Sequence, residues 1–411
     1  MILFEKHILN NGIKLLLNVD KNTPLTAFNI MYNVGSKHEE ENKTGLAHLF
    51  EHLMFSGSKN VEDFDYHTQI AGGDNNAFTN NDITDFYITL PSVNIETALW
   101  LESDRMVNLE LTKKQFETEK KVVIEEFKET TLNVPYGDMW HHLSDMCYTI
   151  HPYKWPTIGK SIDQIKEISV NDVVKFYDQF YSPSNAIISI SGNFDPDKIL
   201  GMTEKWFGNI SKKTYNEVIL PAEPLQTHYK EHVVTDNVPS NAVYLAFHVV
   251  GRNDDKYYTH DIISDILGRG RSSRLYQKLV KEKEFFSEIH AYITGSIEPG
   301  LLIIEGMISD NIDVGQAVQS IFDELNRLKM ELIEEYELQK LKNKMENQLA
   351  FEEVNILNKA INLAQYELLG NPDMINNQMD FYKMVTPEMI RSEAENIFEL
   401  KNCSKLIYLK K

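Results

Sequence analysis

The chain has 411 residues, more than one hydrophobic core usually organises, so two domains of about 200 residues each are the starting expectation. Its apolar fraction of 42% and charged fraction of 25% are those of a globular chain, and no run approaches the roughly 18 uninterrupted apolar residues needed to cross a bilayer. A net charge of −20 without clustered Lys and Arg argues against a nucleic-acid footprint, and the isolated Cys147 and Cys403, outside any CxxC pair, argue against a disulfide framework or a thiolate metal site.

The first residues, MILFEKHILNNGIKLLLNVDKN, read as a strand, a turn at Asn10-Asn11-Gly12 and a second strand. They lack the basic start and small-residue cleavage site of a secretory signal, so a cytoplasmic, membrane-free protein is expected. Residues 26–35, TAFNIMYNVG, alternate as a strand ending in Gly and lead through an acidic stretch into a helix. That helix, within TGLAHLFEHLMFSG at 44–57, carries HxxEH as His48, Glu51 and His52. One turn separates the two histidines, so they share a face with Glu51 beside them, and Leu46, Leu49, Phe50 and Leu53 occupy the other side. A helix this apolar is buried, where three ionisable groups are costly without partners, and a bound cation would compensate them. The bare pattern fits two core or solvated histidines equally well. The third ligand and the helical context must decide.

A hydrolytic zinc takes three protein ligands and leaves the fourth position to water, so one more donor is needed. Residues 111–130, LTKKQFETEKKVVIEEFKET, form a helix with an apolar stripe of Phe116, Val123 and Phe127. On its wheel Glu126 and Glu119 fall within about 60° of the stripe, two turns apart, whereas Glu125 and Glu129 point away. Pro221 and Pro224 break the periodicity, placing a domain join near 215–228. HYKEH at 228–232 repeats the motif pattern, but it runs into Val233-Val234-Thr235 and reads as a strand, making the match accidental. Residues 242–251, AVYLAFHVVG, repeat the plan of 26–35, with a Pro shortly before each strand (Pro24, Pro239) and charged residues after each Gly: a duplication. GRGRSSR at 268–274 lacks the GK[ST] ending of a phosphate loop and reads as a turn into a helix.

These segments resemble the pitrilysin, insulinase and mitochondrial processing peptidase group, the M16 zinc peptidases, whose inverted HxxEH motif is followed roughly 70 to 80 residues later by a ligand glutamate. NAFT at 76–79, HPYKWPTIG at 151–159 and SSRL at 272–275 match it in order along the whole chain. The resemblance implies an α+β, M16/LuxS-like fold of two homologous domains, 1–220 and 221–411, each a mostly antiparallel sheet covered by helices, facing across a chamber. It implies one Zn²⁺ per chain on His48, His52 and Glu126, Glu119 supporting the ligands, and Glu51 activating the water of a metalloendopeptidase acting on short or unfolded polypeptides. It further implies that Asn76, Ala77 and Phe78 bind the substrate backbone as an added strand, although Asn76 after Gly72-Gly73 fits a turn residue equally. The family's substrate-binding Arg and Tyr after SSRL align with Val280 and Ser287, which cannot replace them. The chain is therefore expected to be the zinc-bearing half of a pair whose second M16-type subunit supplies Arg and Tyr, or a homodimer; Arg274, Tyr276 and Tyr292 are the nearby residues that could substitute for the missing pair. A non-catalytic scaffold subunit is the alternative, and a zinc hydrolase acting on amides other than peptides is a second.

Overall fold

The computed structural model describes residues 1–212 and 218–411; part of the expected join, 213–217, lies outside the described residues. Two compact units emerge. The first comprises Met1–Lys128, Trp155–Leu220 and Ala350–Asn376, the second Glu129–Lys154, Pro221–Leu349 and Asn377–Lys411.

In the first unit, β1 (Glu5–Ile8), β2 (Lys14–Val19), β3 (Leu25–Tyr32), β4 (Asp74–Thr79), β5 (Thr84–Pro91) and β6 (Ala186–Gly192) form a sheet in the order β1-β2-β6-β3-β5-β4. Only β2 and β6 run parallel. The β1–β2 turn falls where the sequence places it, with Gly12 at φ +97°, a conformation only glycine adopts without strain. Central β3 is buried on both faces because helices cover both. Phe28, Ile30 and Tyr32 join the core formed with α1 (Leu46–Phe55), α2 (Phe64–Ile70), α3 (Ile95–Asn108) and α4 (Lys113–Phe127). Ala27 and Met31 instead meet the helix Ile356–Leu368 through Ile356, Ala360 and Leu363. Two ion pairs from Glu367 to Lys6 (2.7 Å) and Lys14 (3.0 Å), and one from Lys359 to Asp20 (2.6 Å), fasten that late helix to the early strands.

The second unit repeats the plan. Strands β7 (Lys230–Asp236), β8 (Ala242–His248), β9 (Phe286–Ile293), β10 (Leu301–Ile308) and β11 (Cys403–Lys410) order as β7-β11-β8-β10-β9, again with one parallel pair, β7 and β11. The two orders correspond as β2/β7, β6/β11, β3/β8, β5/β10 and β4/β9, and β3/β8 is the pair marked by the repeat between residues 26–35 and 242–251. Lys230, Glu231 and His232 lie in β7, so HYKEH is not a helical motif. The helix Tyr257–Gly268 stands where α1 stands in the first unit, and α5 (Met139–Cys147) packs Leu143 and Cys147 against Ala242, Tyr244, Leu406 and Tyr408. Each sheet is thus covered on one face by a helix drawn from the other half of the sequence.

Candidate metal centre

Helix α1 starts at Gly45, which holds φ +87° and has no side-chain cap of its own; a Cβ there would stand 2.9 Å from the carbonyl of Ile158. Its cap comes from Glu39, whose Oε2 accepts from the Gly45 N–H (3.1 Å) and whose Oε1 accepts from Ala47 N–H (2.7 Å), with the Leu46 N–H and the Trp155 indole also on the carboxylate. Burial pushes the Glu39 carboxyl up to about 8, a rise that those donors moderate without cancelling. Leu49, Phe50 and Leu53 are fully buried in the core, which turns His48, Glu51 and His52 to the opposite face.

Helix α4 brings the carboxylates. Thr112 caps it, exchanging hydrogen bonds with Gln115, and Phe116, Val123 and Phe127 are buried in the core cluster that also holds the buried side of α1. That anchoring leaves Glu119 and Glu126 along the edge facing the histidines, whereas Glu125 is exposed and pairs with Lys128 at 2.7 Å. His48 Nε2 stands 3.7 Å from Glu126 Oε1, and His52 Nε2 stands 3.4 Å from Glu126 Oε2. The two rings are perpendicular (86°), 4.8 Å apart. One donor atom from each of the three residues falls within a 4.8 Å cluster, the one such His/Cys/Asp/Glu group among the described residues.

This donor set fits zinc. With bonds of about 2.0–2.2 Å, neighbouring donors on a tetrahedral centre stand about 3.3–3.6 Å apart, near the 3.4 Å and 3.7 Å that separate the two imidazoles from the Glu126 carboxylate, and two imidazoles with one carboxylate leave a fourth position open. Glu119 Oε2 lies 3.7 Å from His52 Nδ1, the ring nitrogen turned away from Glu126, so it can orient that imidazole as carboxylates behind metal-bound histidines do. His48 Nδ1 is buried with no such partner. The neighbouring Glu119 and Glu126 carboxylates hold His52 up at about 9, whereas burial pushes His48 down to about 4. Interaction with His52 keeps Glu126 below the ordinary carboxylate range. Burial raises Glu51, with the Thr79 hydroxyl and His52 moderating the shift.

Asn76, Ala77 and Phe78 lie in β4, which among the described residues pairs only with β5 and forms one end of its sheet. Asn76 is therefore a strand residue rather than part of the Gly72-Gly73 turn. In the second unit Val280 is half-buried, and Ser287 is exposed on β9 with its hydroxyl donating to the Met307 carbonyl at 3.3 Å. Arg274 is committed elsewhere, its Nε and Nη2 donating to Glu337 at 3.0 and 2.6 Å; Tyr292 donates to Glu305 at 3.3 Å. Three residues of the first site escaped the sequence reading: Glu39, Trp155 and Thr79. A helix starting at glycine without Ser, Thr, Asp or Asn at its cap was the signal that the cap had to come from a distant residue.

Residues 14–160 match the family description Insulinase (Peptidase family M16), and residues 167–345 match Peptidase M16 inactive domain. The chain belongs to peptidase family M16. Its sequence is 30% identical over 346 residues to zinc protease PqqE of Helicobacter pylori, covering 82% of this chain and 77% of that protein. Mitochondrial-processing peptidase subunit beta of Saccharomyces cerevisiae is 25% identical over 63% of this M16 chain and 57% of its own length. The crystal structure of a protease from Helicobacter pylori superposes with a TM-score of 0.94 at 26% identity over the whole of both chains. No described helix of this M16 protein is long and apolar enough to cross a membrane.

Proposed function

We propose that this M16 chain is a zinc metalloendopeptidase of short or unfolded polypeptides, with His48, His52 and Glu126 as zinc ligands and Glu51 as general base. The observation that carries the reading is the convergence of two imidazoles and one carboxylate from α1 and α4 at separations suited to one tetrahedral ion, beside a carboxylate that is not needed as a ligand. When bound, zinc supplies a Lewis acid that makes water acidic near neutral pH and polarises a peptide carbonyl. Glu51, on the same helix face as both histidines, would serve as the base that accepts a proton from the attacking water and returns it to the leaving amine; burial raises its carboxyl and so brings it nearer the operating pH. Glu119 holds His52 through Nδ1 and keeps the other nitrogen turned to the ion.

The open edge of β4 suits a substrate held in extended form. Main-chain hydrogen bonds to Asn76, Ala77 and Phe78 would grip any sequence and require only that the segment be unfolded. The homologous domains in this reading are 1–220 and 221–411, supported by the repeated strand order. With Val280 and Ser287 at the family's Arg and Tyr positions and Arg274 tied to Glu337, the reading includes a zinc-bearing subunit that works with an Arg- and Tyr-bearing M16 partner. A cytoplasmic setting is part of this proposal, and a content of only two cysteines in 411 residues is in keeping with it.

Metal analysis of the purified chain together with cleavage of a quenched unstructured peptide, alone and with candidate partner subunits, tests the reading. Stoichiometric zinc and cleavage lost in Glu51→Gln are expected. A chain that holds no zinc and cuts nothing in any combination is instead a scaffold subunit.

A further inference from the structure

Helix α1 has an unusual start for a helix carrying chemistry. Gly45 takes a left-handed conformation and Leu46 turns into the helix, so the N–H groups of Gly45, Leu46 and Ala47 point to one spot. Such a run of converging N–H groups is an anion nest, and its position at a helix start adds the positive end of the helix dipole. The occupant is the chain's own carboxylate. Glu39 spans the nest with Oε2 on Gly45 and Oε1 on Ala47, is only 7% exposed, and shares the Trp155 indole N–H with the Ser36 carbonyl, 3.0 Å from that nitrogen. Trp155 lies in the HPYKWPTIG segment, whose Ile158 and Gly159 backbone packs directly against Gly45. The Ala47 N–H belongs to the residue immediately before His48, so the carboxylate fixes the backbone at the point from which the first imidazole projects.

We propose that Glu39 is a positioning residue of the metal centre, an internal carboxylate filling the nest at the start of the metal helix and thereby holding His48 in ligand geometry. The proposal rests on the reading of His48, His52 and Glu126 as zinc ligands. Emptying the nest leaves three N–H groups without an acceptor and lets the first turn of α1 fray, which carries His48 away from Glu126. A small carboxylate from solution can refill it, because the nest recognises the anion and not the side chain that delivers it.

Zinc affinity of the full chain, measured by competition with a chromophoric chelator, tests this. Glu39→Ala is expected to lose about 10- to 100-fold in affinity, the range typical of partners behind metal ligands, and formate or acetate should restore most of the loss while leaving the wild type unchanged. Glu39→Gln, which keeps the shape but removes the charge and one acceptor, should show a smaller drop. Wild-type affinity in Glu39→Ala, or a loss that neither carboxylate repairs, overturns the proposal; if Glu39→Ala does not fold, unchanged affinity in Glu39→Gln overturns it. A parallel His52→Ala chain separates the two readings: if wild type and His52→Ala are alike in not binding zinc, the metal assignment is what fails. The nest is then judged from melting temperature, which formate should raise in the Glu39 variant and not in the wild type.

Discussion

Metal binding at this centre should be opposed by a proton that the site itself retains. Without metal, Glu119 and Glu126 flank His52 and hold it up at about 9, so at pH 7 the neutral imidazole that a metal requires is present in roughly one molecule in 100. Two pH units of deprotonation therefore separate the apparent affinity at pH 7 from its limiting value, a factor on the order of 100. His48 adds nothing in this window, because burial keeps it neutral down to about 4. The zinc Kd should fall about tenfold per pH unit from 7 to 9 and then level, and titration calorimetry in buffers of different ionisation enthalpy should count about one proton released per zinc at pH 7. Glu119→Gln removes one of the two carboxylates and should move the levelling point to lower pH. The sign reverses for the metal-free fold: His52 is raised above its ordinary 6.5, so its contribution to stability is complete below that value and disappears as pH rises through about 9. A Kd that does not change between pH 7 and 9 would refute the reasoning, since it requires His52 to be already neutral despite its two carboxylates.

Glu51→Gln should keep stoichiometric zinc while peptide turnover falls by at least about 100-fold, the low end of general-base contributions, whereas His52→Ala should lose the metal itself; atomic absorption and single-turnover assays check both. Glu126→Gln should cut zinc affinity strongly and Glu125→Gln should leave it within about twofold, because Glu125 faces solvent beside Lys128; equal effects would mean that α4 is rotated from the position described. Leu363→Ala should cost about 2–5 kcal/mol in denaturant unfolding, the usual range for a buried Leu cavity, since Leu363 is fully buried in a cluster with Leu16, Met31 and Ile187. A cost under about 0.5 kcal/mol would show that the helix Ile356–Leu368 is not part of the first unit's core.

The sequence alone determined what depends on local periodicity. Residues three and four apart share a helix face, so HxxEH placed His48, Glu51 and His52 together, and the stripe Phe116, Val123 and Phe127 turned Glu119 and Glu126 inward before any fold was known. Alternation over 26–35 and 242–251 likewise marked two equivalent strands, which became β3 and β8. Only the tertiary structure decided which elements meet. Nothing within residues 350–376 or 129–154 specifies that each packs on a sheet built mainly from the other half of the chain; that follows from which apolar face remains uncovered once the rest has assembled. The edge position of β4 is set by its having a hydrogen-bond partner on one side only, and the cap of α1 is a glutamate six residues upstream of Gly45 that merely looked like part of an acidic stretch. Short-range geometry is written into spacing, whereas the company a residue keeps across the fold is a property of the whole chain's burial.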